Sequence, residues 1–207
     1  MKRLLLLLLL MTTCTIHAGA PVILVLGDSL SAGHGIDQRR GWVALLQQRL
    51  QQAGYPHRVV NASISGDTSA GGLERLPPAL TRLRPEILVI ELGANDGLRG
   101  QSLARLHDNL ERMIQLGRQA GSRVLLMEMR LPSNLGRPYT EKFRQIYWDL
   151  SRSEQVPLVP FFLDGVADRP ELMQEDRLHP NAAAQARMLD NVWPLLEPLL
   201  TQGAASG

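Results

Sequence analysis

At 207 residues and 44% hydrophobic content, the chain has the length of one domain and enough apolar material for an ordinary core. Its formal charge of +2 rests on Lys2 and Arg3; the 22 basic and 20 acidic residues balance once these two are set aside. No basic run occurs and no basic residues alternate with aromatic ones, which excludes the electrostatic footprint of a nucleic-acid binder.

The chain opens with those two cations, an unbroken apolar run from Leu4 to Met11, and then the small residues Ala18-Gly19-Ala20. This order predicts a secretory signal peptide over 1–20 and hence a periplasmic or secreted protein. The apolar run is well short of the ~20 residues that a spanning helix needs. An uncleaved anchor is the competing reading, and lipidation at Cys14 is a minor one, because Thr13 stands where a small residue is wanted. Pro21 would be an awkward first residue, so cleavage after Ala18 is the fallback. Cys14 is the only cysteine. A processed chain would have no disulfide to staple it and would depend on packing.

From 21 to 200 short apolar runs alternate with helical patterns, as in an α/β domain with a parallel sheet. The predicted strands are 22–26, 58–61, 87–91, 124–128 and 158–160. They are short and nearly all apolar, as strands covered on both faces should be. The first predicted helix is 41–53, closed by Gly54. The second, 72–83, is interrupted by Pro77-Pro78. The third, 102–120, carries Leu103, Leu106, Leu110, Met113, Ile114 and Leu116 at helical spacing. The fourth is 140–154. The last starts after Pro180, with Asn181 as N-cap, and stops where Pro194 breaks it. Residues 201–207 read as a frayed tail.

Polar loops follow the first three strands, and ligands of open parallel sheets bind at that edge. In Gly27-Asp28-Ser29-Leu30-Ser31 the strand runs into a turn that would hold the Ser29 hydroxyl outward. A serine there is a poor nucleophile without a base. Near the other end of the chain, Asp176-Arg177-Leu178-His179-Pro180-Asn181 offers an imidazole and, three residues earlier, a carboxylate to orient it. One helical or 3₁₀ turn would put the two on one face. Acyl transfer also needs donors where negative charge develops. The candidates are the N–H groups of Ser29 and Gly66 and the side-chain amide of Asn95. Singly, each of these features is ordinary turn chemistry.

Together they resemble the SGNH hydrolases, also called GDSL esterases. The blocks that carry the resemblance are 23–33 (ILVLGDSLSAG), 60–68 (VNASISGDT), 91–100 (ELGANDGLRG) and 176–181 (DRLHPN). They are most similar to the exported bacterial multifunctional thioesterase/lysophospholipase/arylesterase branch, over about residues 22–194. The resemblance implies a three-layer α/β/α flavodoxin-like fold with a five-stranded parallel sheet, and hydrolysis of acyl esters and thioesters without cofactor or metal. It implies Ser29, Asp176 and His179 as the catalytic residues and Ser29, Gly66 and Asn95 as the oxyanion hole. It also implies that the loop Asp96, Gly97, Leu98, Arg99 and Gly100 covers bound acyl chains. A small-molecule acyl ester or thioester substrate, lipids included, and a monomer fit this reading.

Other assignments compete less well. His34 sits too close to Ser29 in one glycine-rich turn and reads as rim. His57 and His107 read as solvated. Asp28, Asp67 and Asp96 read as turn-pinning carboxylates, and Asp37 with Arg39-Arg40 as solvated rim. No G-x-S-x-G elbow, no G-x-G-x-x-G after a strand and no paired histidines occur. A sugar O-acetyl esterase and a non-catalytic binding domain on the same fold are the alternatives.

Overall fold

The computed structural model describes residues 19–201. Residues 1–18 of the leader, Cys14 among them, and all of the tail beyond Thr201 lie outside the described residues. Five parallel strands, β1 (Val22–Gly27), β2 (Arg58–Asn61), β3 (Ile87–Glu91), β4 (Arg123–Met127) and β5 (Leu158–Val159), form one sheet in the order β2-β1-β3-β4-β5. This is the flavodoxin-like order expected from the sequence. In register, Val25 faces Asn61 on one side and Val89 on the other. β1 and β3 are buried at every residue, whereas β2, at the edge, is only half-covered.

The long helices are α2 (Trp42–Gln52), α3 (Ser69–Leu83), α5 (Leu103–Gln119), α6 (Arg137–Ser153) and α7 (Gln185–Thr201); α1 (Ser29–Ala32) and α4 (Ala94–Leu98) are single turns. α2 packs on α7, while α3, α5 and α6 pack side by side, giving the two outer layers. The predicted face of α5 is the buried one, with Leu106, Leu110, Met113 and Ile114 in the core. Burying one apolar stripe on the sheet stabilises such a helix far more than its propensity does.

Prolines end neither of the two helices where the sequence predicts a break. α3 runs through Pro77 and Pro78, and α7 through Pro194 and Pro198. All four prolines are exposed. A proline frees the carbonyl four residues earlier, and that carbonyl lies on the same helix face. Here that face is turned to solvent, so the freed carbonyls are not buried without a partner. The buried faces, Leu76 and Leu80 in α3 and Val192, Leu196 and Leu199 in α7, continue unbroken.

The strand order reverses between β1 and β3. Ser29 follows β1 and Asn95 follows β3, so both stand at the switch point where such sheets take ligands.

Candidate active site

Ser29 opens α1 directly after β1. Asp28 caps the turn by accepting from Leu30 N at 3.0 Å, and Gly33 closes it in the left-handed region. The Ser29 N–H points out of a one-turn helix and donates to nothing among the described residues. Its hydroxyl meets His179 Nε2 at 2.9 Å, across 150 residues of chain.

His179 and Asp176 lie on a loop that is not helical, contrary to the sequence expectation. An antiparallel bridge between Met173 and Pro180 pinches the loop closed, with Gln174 N donating to His179 O at 2.7 Å. Arg177 takes φ 55°, which interrupts any helical progress. The reach from i to i+3 comes instead from the Asp176 side chain. Oδ1 accepts from Leu178 N at 2.9 Å and His179 N at 3.0 Å, while Oδ2 meets His179 Nδ1 at 2.6 Å. The imidazole bond, followed by the two backbone bonds, holds the Asp176 carboxyl well below its usual range, although the group is exposed. The His34 ring lies 4.4 Å from the His179 ring, tilted by 43°. Its place is therefore on the rim, as expected, but as a wall for the imidazole.

Gly66 adopts φ 80° in the loop after β2, and its N–H has no described acceptor. That loop is fixed by Ile64 N donating to Gly27 O at 3.0 Å. Arg99 reaches over from the β3 loop and donates to Gly66 O at 2.8 Å. Asn95 Nδ2 donates to Asp28 Oδ2 at 3.1 Å, leaving its second hydrogen available. Asp28 thus does more than pin its own turn. Burial raises its carboxyl to about 6, against the bonds from Leu30 and Asn95, which favour the anion.

Beside Ser29, Asn95 and His179 opens a cavity of about 370 Å³. Its walls are mostly apolar and include Leu30, Leu98, Leu131, Phe161, Phe162 and Met173. Of the loop 96–100 only Leu98 lines it. Asp96 is buried instead, accepting from Ser69 N at 2.8 Å and Ser69 Oγ at 2.5 Å. Gly97 is buried too: a Cβ there would stand 2.7 Å from Leu131 and 2.8 Å from Phe143. It is a packing glycine. Arg99 and Gly100 are exposed at the rim.

Residues 25–187 match the GDSL-like Lipase/Acylhydrolase family. The chain belongs to this family. Among its relatives, Esterase TesA of Pseudomonas aeruginosa is 54% identical over 90% of this chain and 92% of that protein. Thioesterase 1/protease 1/lysophospholipase L1 of Escherichia coli K12 is 44% identical over 88% and 86%. The crystal structure of TesA superposes with a TM-score of 0.84, covering 86% of this chain and 99% of that one. This GDSL hydrolase is accordingly a serine esterase, acting on small-molecule ester substrates.

Sequence reasoning passed over several residues that lie beneath the GDSL site. Glu91, Ser31 and Trp42 form a buried chain under Asp28. Full burial, reinforced by the neighbouring Asp28 charge, raises the Glu91 carboxyl well above its usual range. The signal was present: an acid ending an otherwise apolar strand, in Ile87–Glu91. His57 is a further correction. It is buried rather than solvated, 3.5 Å from Glu86 at the opposite end of the sheet, and burial lowers its pKa. His107 is half-buried on α5, Asp67 pairs with Arg75, and Asp37 caps the 3₁₀ turn at Gln38–Arg40. No described helix is long and apolar enough to cross a membrane.

Proposed function

We propose that Ser29 is the nucleophile, His179 the general base and Asp176 its orienting partner in hydrolysis of acyl esters and thioesters. The single observation that carries this is the continuous line Asp176 Oδ2, His179 Nδ1, His179 Nε2, Ser29 Oγ, at 2.6 and 2.9 Å. With Nδ1–H donating to Asp176, Nε2 is left to accept the Ser29 proton. Ser29 Oγ adds to the acyl carbon, and negative charge moves to the carbonyl oxygen. The N–H groups of Ser29 and Gly66 and the free Asn95 N–H receive that charge. As the tetrahedral species collapses, His179 returns its proton to the departing alcohol or thiol. Water then attacks the acyl-enzyme with His179 again as base, and the acid leaves.

The apolar cavity beside Ser29 supports acyl groups of lipid or aryl character over acetyl alone, since burying each additional methylene there gains about 0.8 kcal/mol. Lysophospholipids and acyl-CoA are such substrates. Export through the leader at 1–20 and a monomeric state belong to the same proposal.

A fluorophosphonate probe and a p-nitrophenyl ester series from two to twelve carbons test it together. Wild type should be labelled, Ser29→Ala should be neither labelled nor active while still folded, and kcat/KM should hold or rise beyond two carbons. Labelling that persists in Ser29→Ala removes the nucleophile assignment. A steep fall beyond acetyl makes the enzyme a deacetylase.

A further inference from the structure

Beneath Asn95 lies a carboxyl group that the reaction scheme leaves unused. Glu91 ends β3 with its side chain fully buried, and its described partners are all neutral or acidic. Oε2 accepts from Ser31 Oγ at 2.6 Å and from Asp28 N at 3.2 Å. The direction of the first bond is set by Trp42. Its indole N–H, a donor only, gives to Ser31 Oγ at 3.2 Å, so the Ser31 hydrogen goes to Glu91. Oε1 receives no donor. Through the bond from Asp28 N, the Glu91 carboxyl is held in the same buried pocket as the Asp28 carboxyl, and the two perturb each other's ionisation. Two buried carboxyls side by side, with only neutral donors bonded to them, do not both ionise, so one of them carries a proton.

The bonds decide which. Asp28 already accepts from Leu30 N and from Asn95 Nδ2, and both favour its charged form. Glu91 Oε1 has nothing to accept, and Oε2 already takes two donors, so a proton on this group sits on Oε1. We propose that Glu91 is a positioning residue: as a neutral acid it donates to the Asp28 carboxylate, which thereby keeps the Asn95 amide turned with one N–H engaged and the other facing the reacting carbonyl. This rests on the reading of Asn95 as an oxyanion donor. Without the Glu91 proton, Asp28 would face a second anion or take the proton itself, and Asn95 would lose the acceptor that fixes its amide. The same arrangement accounts for Gly27, where a Cβ would come to 2.5 Å from Glu91 Oε2.

The ionisable groups that share this region are Asp28 from the β1 loop, Asp96 from α4, Tyr147 from α6 and His179 from the last loop. Each is negative or neutral when His179 is neutral, so none stabilises a Glu91 anion. Steady-state kinetics of the folded chain on a p-nitrophenyl ester test the proposal. Glu91→Leu should lower kcat at least tenfold, within the roughly 10²–10³-fold span of losing an oxyanion donor. KM should stay within about twofold. Glu91→Gln, whose amide still donates to Asp28, should restore kcat. Adding Asn95→Ala to Glu91→Leu should cost little more than Asn95→Ala alone. If Glu91→Leu fails to fold, Glu91→Gln decides: wild type should lose kcat at alkaline pH as Glu91 ionises, and Glu91→Gln should not. Glu91→Gln as impaired as Glu91→Leu, independent effects in the double variant, or an alkaline decline that is absent from wild type or survives in Glu91→Gln would each overturn it. Normal kcat in Asn95→Ala would instead overturn the underlying oxyanion assignment.

Discussion

Asp176 and Glu91 serve the two halves of one pocket under opposite conditions. Asp176 stands on an exposed loop, ionised, and is held by three hydrogen bonds within four residues of chain. Glu91 ends a central strand without solvent contact, and its partners come from Asp28, Ser31 and, through Ser31, Trp42. Proton transfer requires an anion beside an imidazole that becomes positive, and local bonds to a carboxylate supply it. Orienting a neutral amide requires a directed bond that does not wander, and a buried acid in a low-dielectric interior supplies that. Glu128, just past the end of β4, makes a third case. It is as buried as Glu91 but surrounded by Arg130, Arg144 and Trp148 donors at 2.6, 3.1 and 2.6 Å.

The largest expected effect probes the exposed half. Asp176→Asn keeps the shape but replaces the acceptor that fixes the tautomer, and kcat should fall roughly 10³–10⁴-fold. Because Asp176 is 42% exposed, a loss below tenfold would mean that water orients His179 well enough alone. Next, Asn95→Ala should lower kcat roughly 10²–10³-fold with a smaller change in KM, since its bond strengthens as charge develops; a rise in KM alone would make Asn95 a ground-state contact.

Two smaller effects separate the buried acids. Glu128→Gln weakens bonds to two arginines that are each less than half exposed, and thermal or urea unfolding at pH 7 should show a loss of about 1–2 kcal/mol. Glu91→Gln should show no such loss. It should instead gain on wild type as pH rises. The unfolded Glu91 ionises above its ordinary value near 4.5, while the folded group keeps its proton to a much higher pH. Wild-type stability from this group is therefore fully present below about 4.5 and declines as pH rises toward the folded value, on the order of 1 kcal/mol per pH unit. Melting both proteins at pH 5 and pH 8 measures the difference; a constant gap would mean that Glu91 ionises normally.

Much of this was legible in the chain. The apolar runs at 22–26 and 87–91 place their strands within a residue, because buried parallel strands need continuous apolar sequence. The helices were legible as faces, but the prolines misled at 77–78 and 194. Whether a proline ends a helix depends on whether its face is wet, which is a property of the packed molecule. In the loop 96–100, likewise, only the packing shows that Gly97 is buried against Leu131 and Phe143.

By itself the sequence determined the fold class and which residues could do acyl chemistry, since spacing, apolar runs and side-chain type are local properties. Only the tertiary structure decided that Ser29 meets His179 and how the Asp176 loop turns without a helix. It also decided which buried carboxyl faces cations and which faces another acid. Those outcomes depend on burial and on partners far apart in the chain, so they arise only when the loops of β1, β2, β3 and β5 close over one edge of the sheet.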